Sequence, residues 1–253
     1  MTATTATAAL LRVEKLTVRF GGLVAVNELS FGVTDGELLG IIGPNGAGKT
    51  TAFNAIAGAV RPTSGTIRIG ESTVSGLPPE KVARLGIART FQSVRLFRSM
   101  TVEDNIALAA IAVSPSMQAA RDRAREVAAL LSMEDLLDKE GGALPLAHQK
   151  RVEIARALAL SPKLLLLDEM MSGLNPAETR DIIGVIQQLN DKGLTIIVIE
   201  HVIQVIMELS QRVLVLDHGT LIAQGGAREV MRDPQVVEAY LGRSAARGLS
   251  DST

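Results

Sequence analysis

The sequence predicts an α/β fold with a parallel sheet at its core, an antiparallel β subdomain near the start of the chain and a helical subdomain inserted in its middle. Three observations predict it. The apolar run Leu38 to Ile42 leads into Gly43-Pro44-Asn45-Gly46-Ala47-Gly48-Lys49-Thr50-Thr51, which fits G-x-x-x-x-G-K-[ST] at every required position. A second apolar run, Leu164 to Leu167, ends on Asp168-Glu169, as a parallel strand covered on both faces ends at the ligand edge of its sheet. Between them, Val102 to Ala112 and Met117 to Leu131 carry apolar residues at helical three-to-four spacing.

Taken in order, residues 1–9 are rich in Ala and Thr, lack the positive start and long apolar centre of a signal peptide, and read as a disordered leader. From Leu11 to Val33 β-branched residues alternate with polar ones in short runs broken by Gly21-Gly22 and Asn27, which predicts antiparallel strands and tight turns. Phe20 stands out because aromatics are only 2% of the chain. It fits either an aromatic that stacks on a nucleotide base or a core Phe at a strand end, and the residues leave both open.

The Gly43–Thr51 stretch is a phosphate-binding loop. Its glycines let backbone N–H groups curl around a polyphosphate, Lys49 reaches the β and γ phosphates, and the Thr50 hydroxyl is placed to ligate Mg²⁺. A helix is expected to start inside the motif, its amides and positive dipole end facing the anion. Thr51 to Ala59 then reads as helix, Arg61 to Gly65 as a turn, Thr66 to Ile69 as a strand, and Ile87 to Phe91 as a strand that ends at Gln92. The helical subdomain is expected over about 93–160, closing with a helix from Gln149 to Leu160 that Ser161-Pro162 ends. After the Leu164 strand come a helix (Glu178 to Asn190), a strand (Thr195 to Ile199), a helix (Val202 to Leu209) and a strand (Arg212 to Leu216). One domain is expected over 10–242, with a flexible tail at 243–253.

Composition narrows the function. Across 253 residues, 26 basic and 27 acidic side chains leave a net charge of −1, which offers no general attraction to nucleic acid, so no nucleic-acid partner is expected. There is no cysteine, which excludes disulfides and thiolate chemistry, and three scattered histidines do not make a zinc site. Hydrophobic residues are 47% and mean hydropathy is +0.25, yet no apolar run approaches the ~18 residues that span a bilayer. The chain is not expected to cross a membrane.

Asp168 behind a hydrophobic strand is the usual second Mg²⁺ anchor of a phosphate-loop enzyme, and adjacent Glu169 is placed to polarise an attacking water. With these residues the chain resembles an ABC transporter ATPase subunit over nearly its whole length. Thr90-Phe91-Gln92 is similar to the family's Q-loop, Leu164 to Glu169 to its Walker B motif, Ser172-Gly173-Leu174-Asn175 to its D-loop and Glu200-His201 to its switch histidine. Phe20 to Val26, Thr90 to Met100, Gly173-Leu174-Asn175-Pro176 and the ending Val236 to Gly242 resemble the ATP-binding subunits of branched-chain amino acid importers in particular. The resemblance implies the ABC-ATPase form of the phosphate-loop fold, with ATP and Mg²⁺ as ligands. It implies that Phe20 stacks on adenine, that Gln92 touches Mg²⁺ and reports to a membrane subunit, and that His201 contacts the γ-phosphate. It also implies a peripheral position on the cytoplasmic face of the plasma membrane, permease subunits as partners, and a solute-binding protein acting through them.

Two departures stand out. The family's signature, usually close to Leu-Ser-Gly-Gly-Gln, is replaced by Leu144-Pro145-Leu146-Ala147-His148, and Met170 stands where proline usually follows Asp-Glu. Pro145 has neither hydroxyl nor N–H, and Leu146 and Ala147 add Cβ atoms where glycines let backbone approach phosphate. Two lost phosphate contacts at ~1.5–3 kcal/mol each, felt fully in the transition state, slow hydrolysis at least ~100-fold. A heterodimer with a second ATPase subunit bearing an intact signature is therefore expected. Two other classes share the phosphate loop. An ABC ATPase acting on DNA or ribosomes predicts a coiled-coil insertion, a tandem cassette or a basic surface, none of which the sequence carries. A nucleotide-gated structural partner with little turnover is suggested by the signature and opposed by Lys49, Asp168, Glu169 and His201.

Overall fold

The computed structural model describes residues 9–241. The chain divides into two compact units, one formed by the chain up to Pro79 and from Thr195 onward, the other by Glu80–Leu194. The leader expected over 1–9 lies outside the described residues except for Ala9, which is already part of a strand; the tail expected at 243–253 lies outside them entirely.

In the first unit, β1 (Ala9–Phe20) and β2 (Leu23–Thr34) form an antiparallel hairpin. β3 (Leu38–Ile42) leads to α1 (Lys49–Ile56), and β4 (Ser64–Ile69) and β5 (Ser72–Thr73) complete an antiparallel sheet in the order β2-β1-β4-β5. The buried side of β1 switches parity, from Leu11 and Val13 to Leu16 and Val18. Lys15, at φ 47°, is the extra residue that permits the switch, and the pairing register shifts there as a β-bulge requires. Asn27 does not break β2 as the alternation suggested. The irregularity is a bulge at Glu28, also at φ 47°, and the Asn27 amide leaves the ladder to donate to the Gly219 carbonyl at 2.8 Å.

The second unit contains α2 (Pro79–Arg84), β6 (Ile87–Arg89), α3 (Val102–Ala110), α4 (Met117–Leu130), α5 (Leu146–Ala159), β7 (Leu164–Asp168) and α6 (Pro176–Asp191). β6 and β7 pair in parallel, Ile87 opposite Leu164. All four leucines of β7 are 0% exposed, a burial worth roughly 1.5–3 kcal/mol for each side chain. Thr101 caps α3, Ser116 caps α4, and Asn175 with Glu178 forms a capping box on α6.

The unit is wider than the 93–160 segment read as helical, because it also holds β6, β7 and α6. Nor is the start of that segment helical: residues 91–101 are irregular. The cause is Asn105, which is fully buried and whose carboxamide donates to the carbonyls of Phe97, Met100 and Thr101 while accepting from the Phe97 amide. One side chain thus satisfies main-chain groups that a helix would have paired internally. α5 begins three residues before the expected Gln149, so Leu146-Ala147-His148 is its first turn.

The chain then returns to the first unit with β8 (Thr195–Ile199), α7 (Ile203–Leu209), β9 (Arg212–Asp217), β10 (Thr220–Gly225), α8 (Ala227–Val230) and α9 (Pro234–Leu241). β3 lies between β8 and β9, parallel to both, and β10 is antiparallel to β9. β3 and β8 are buried at every residue, as continuous apolar strands covered on both faces should be. Among the described residues, no helix is long and apolar enough to cross a membrane.

Candidate functional site

The first unit carries the phosphate loop between β3 and α1. Gly43, at φ 151°, opens it, and a Cβ there would collide with the Leu216 carbonyl oxygen of β9. The loop is closed by Gly48, the N-cap of α1, at φ 95°, where a Cβ would collide with the Ala25 carbonyl oxygen. Both neighbours are backbone, so neither collision is relieved by a rotamer change. Lys49 is 5% exposed, and its ammonium donates to the carbonyls of Gly43 at 2.7 Å and Pro44 at 3.0 Å. The lysine is therefore folded back over its own loop, where a polyphosphate would offer charged acceptors in place of neutral ones. Asn45, Gly46 and Thr50 are exposed, Thr51 is half-buried, and Ala47 is buried, its carbonyl accepting from the Gly219 amide at 3.1 Å. α1 has no side-chain cap, so its first-turn amides face the loop.

Phe20 is 51% exposed at the end of β1, which removes the core reading. His201 is exposed in the bend between β8 and α7, next to buried Glu200. A further contact to the loop was not legible in the sequence: the Tyr240 hydroxyl of α9 is hydrogen-bonded to the Gly43 backbone. Burial pushes the Tyr240 phenol up, and the Gly43 bond offsets only part of this, so the group stays neutral at physiological pH.

The second unit gathers the acidic pair and Gln92. Asp168, 1% exposed, ends β7, and its amide donates to the hydroxyl of fully buried Thr90 at 3.3 Å. Glu169 follows with φ 50°, an uncommon conformation for a residue with a Cβ. Such strain persists only where the surroundings hold it. Here the Gln92 amide nitrogen donates to the Glu169 carboxylate at 2.6 Å, and buried Lys150 donates to the Glu169 carbonyl at 3.4 Å. Held this way, Gln92 turns its amide nitrogen to the carboxylate and its oxygen elsewhere. Carboxylate and carboxamide oxygens are hard donors of the kind Mg²⁺ takes, so Asp168 and Gln92 of this unit fit that ion by chemistry, as the Thr50 hydroxyl of the first unit does by itself.

Arg89 was also missed, because in the sequence it is only the polar end of a short apolar strand. Its guanidinium lies 4.0 Å from the Asp168 carboxylate and 5.0 Å from the Phe91 ring centroid. Lys150 gave no signal beyond one charge in a mixed helix face.

The altered signature segment starts α5. Pro145, extended at φ −57° and ψ 154°, stands at the N-cap and no side chain caps the helix, so its first amides, those of Leu146, Ala147 and His148, lie at its positive dipole end. Leu146 is 40% exposed with its side chain against Gly173, and the Gln149 carboxamide donates to the Leu144 carbonyl at 2.7 Å.

The sequence profile of the family described as ABC transporter matches residues 26–172, and that of the branched-chain amino acid ATP-binding cassette transporter matches residues 220–246. The chain is 39% identical over 251 residues to the high-affinity branched-chain amino acid transport ATP-binding protein LivG of Salmonella typhimurium, covering 93% of this chain and 98% of that one. It is 37% identical over 235 residues to the lipopolysaccharide export system ATP-binding protein LptB of Escherichia coli, covering 92% and 98%. Among solved structures, the ADP conformation of an ATP-binding cassette of an ABC transporter is similar with a TM-score of 0.85 and 30% identity, covering 94% of this chain and 100% of that one.

Proposed function

The chain belongs to the ABC transporter family and is an ATPase of it, and from that premise we propose that it drives an importer of amino acids, branched-chain ones first, from the cytoplasmic face of the plasma membrane. The observation that carries the hydrolytic part is the 2.6 Å bond by which Gln92 holds the strained Glu169. Likeness to LivG along the whole length, with the separate match of residues 220–246, supports the substrate class.

In this reading one cassette domain spans 10–242, with a helical subdomain over about 93–160. Phe20 stacks on adenine, while the amides of Gly43 to Thr51 and the Lys49 ammonium hold the phosphates. Thr50, Gln92 and Asp168 would hold Mg²⁺, and the ion would supply positive charge against the charge that develops on the transferred phosphoryl group. Glu169 takes the proton of the attacking water, and Gln92 keeps its carboxylate in place for that step. His201 donates an imidazole N–H to the γ-phosphate. Permease subunits dock on the Leu96, Phe97 and Met100 segment, where Phe97 is 47% exposed, and a solute-binding protein outside the membrane delivers the solute to them.

The partner across the ATP is a second ABC ATPase subunit with an intact signature. This chain then supplies Lys49 and Glu169 to the hydrolytic site and its Pro145-Leu146-Ala147-His148 turn to an ATP-holding one. The test is to reconstitute the complex in vesicles with the catalytic Glu of each ATPase subunit changed to Gln separately. Glu169→Gln keeps shape and removes basicity, so turnover falls ~10²–10⁴-fold with ATP still bound, and the same change in the partner subunit has a much smaller effect. Equal losses from either change rule out the asymmetry, and undiminished turnover with Glu169→Gln removes it as the base. The likeness to LptB favours a second reading as an exporter ATPase. Accumulation of labelled leucine on the cytoplasmic-face side of the vesicles decides for import.

A further inference from the structure

Five cationic and aromatic side chains of the second unit form one continuous run that begins at Asp168. The Arg89 guanidinium lies 4.0 Å from the Asp168 carboxylate, and both Arg89 and Arg95 lie over the Phe91 ring, at 5.0 and 4.7 Å from its centroid. The Arg95 amide donates to the carboxylate of buried Glu153 at 2.8 Å, and Arg156 binds that same carboxylate at 3.0 Å while also donating to the Arg95 carbonyl. Arg156 in turn sits 5.7 Å from the ring centroid of Phe97, whose backbone Asn105 grips from both sides. The two acids of the run, Asp168 and Glu153, are 1% and 3% exposed, so its ion pairs are screened least at these two points, while Phe91, Arg95 and Phe97 are exposed.

Charge makes this run responsive. Arg89 and Arg95 share one ring and repel each other; the ring face, the Asp168 carboxylate and the Thr90 carbonyl, which accepts from the Arg89 Nε at 3.4 Å, all help to hold Arg89 there. Burial pulls the Arg89 guanidinium's pKa down, Asp168 pushes it back up, Arg95 pulls it down again, and the group stays cationic throughout. A divalent cation brought to Asp168 takes its place as counter-ion.

We propose that Arg89 is a positioning residue that competes with Mg²⁺ for Asp168, and that its displacement is passed through the Phe91 ring to Arg95, Arg156 and Phe97. The inference rests on the reading of Asp168 as a Mg²⁺ anchor and adds to it a residue that sets the Mg²⁺ threshold. Without the ion, Arg89 neutralises the buried carboxylate. With it, three positive centres lie near Phe91, and the irregular 91–97 segment, held at Gln92, Arg95 and Phe97, gives between those ties.

The test uses the full chain and a non-hydrolysable ATP analogue, adenylyl imidodiphosphate, and reads the Mg²⁺ concentration that gives half-maximal binding. Arg89→Gln lowers that midpoint at least ~tenfold, since a guanidinium within ~4–6 Å shifts a carboxylate's affinity for a competing cation by that factor or more. Phe91→Leu, at a partly exposed position, removes the ring that holds Arg89 and lowers the midpoint by a smaller factor. Amide hydrogen exchange gives a second readout: in the wild type the peptide covering residues 91–97 exchanges faster with analogue and Mg²⁺ than with analogue and EDTA, and in Arg89→Gln the difference is lost. Asp168→Asn separates the two levels. If it leaves the Mg²⁺ dependence intact, the reading of Asp168 fails and the inference with it. If it abolishes the dependence while Arg89→Gln and Phe91→Leu both leave the midpoint unchanged or raise it, the inference alone is overturned.

Discussion

α1 and α5 both begin without a side-chain cap, but α1 begins behind Gly48 at φ 95° and α5 behind Pro145 at φ −57° and ψ 154°. In front of α1 the fold leaves no room for a side chain: Gly43 is pressed on the Leu216 carbonyl and Gly48 on that of Ala25. In front of α5, Pro145 and Leu146 are both exposed and Ala147 is partly so. The first loop has its shape from neighbouring backbone, whether or not a ligand is present. The second is a helix start with amides and dipole on offer, fixed by side-chain contacts of Gln149 with the Leu144 carbonyl and of Leu146 with Gly173 rather than by backbone pressed on it. The same chain therefore holds one uncapped helix start where Gly43 and Gly48 leave no room for a Cβ and one that carries Pro145, Leu146 and Ala147.

The largest expected effect comes from exchanging the residue types between the two turns. Gly43→Ala should cost about 3–5 kcal/mol, because it places a Cβ against backbone at a positive φ, and should abolish ATP binding with it. Ala147→Gly should cost only about 0.5–1 kcal/mol, the backbone-entropy penalty of a glycine in a helix. Denaturant unfolding of the full chain measures both. Comparable losses in the two variants would mean that the turns are equally constrained.

A smaller effect sharpens the functional side of the contrast. Leu146→Gly combined with Ala147→Gly gives the α5 turn the open backbone of the family's signature. In a heterodimer one site already turns over, so activating the other raises ATPase activity by at most about twofold, whereas a homodimer with two impaired sites gains far more. ATPase rates of the assembled complex distinguish these, and a tenfold rise would break the assignment of a mainly ATP-holding role to this turn.

The contrast also explains what the sequence disclosed. The α1 turn was legible to the residue because its glycines answer to strict geometry and its lysine to strict chemistry, and strict requirements leave fixed spacings. Leu164 to Asp168 was legible for a related reason, since a strand buried on both faces admits only apolar residues until its edge. The α5 start was misplaced by three residues, because Pro145 at the N-cap offers no side-chain oxygen of the kind that marks a helix start and leucine and alanine favour no single answer there. Residues 93–101 fall in the segment read as helical because the periodic runs Val102 to Ala112 and Met117 to Leu131 follow directly on the Gln92 strand end. What keeps them irregular is the carboxamide of Asn105, and one buried Asn leaves no periodic trace. The bulges at Lys15 and Glu28 were illegible for a similar reason: both positions have positive φ without a glycine to announce it.

The smallest expected effect concerns a side-chain support of the α1 turn that comes from far along the chain. Gly43 is held through its carbonyl by the Lys49 ammonium at 2.7 Å and through its backbone bond to the Tyr240 hydroxyl of α9, while at the α5 turn the Gln149 carboxamide holds the Leu144 carbonyl at 2.7 Å and no side chain caps the helix. Tyr240→Phe removes the hydroxyl and keeps the ring, so burial of α9 against the first unit is preserved and only a single hydrogen bond is lost. A neutral bond of this kind contributes about 0.5–1.5 kcal/mol, and the partner left behind on Gly43 is buried, which puts the cost toward the upper end. Because the same residue fixes the carbonyl that Lys49 grips, part of that loss should appear as ATP affinity weakened by roughly 2- to 10-fold rather than as stability alone. Calorimetric ATP titration and thermal unfolding of the same preparation separate the two shares. An unchanged affinity with a lowered Tm would make Tyr240 a support of the helix only, and the α1 turn would then owe its shape entirely to the backbone packed around Gly43 and Gly48.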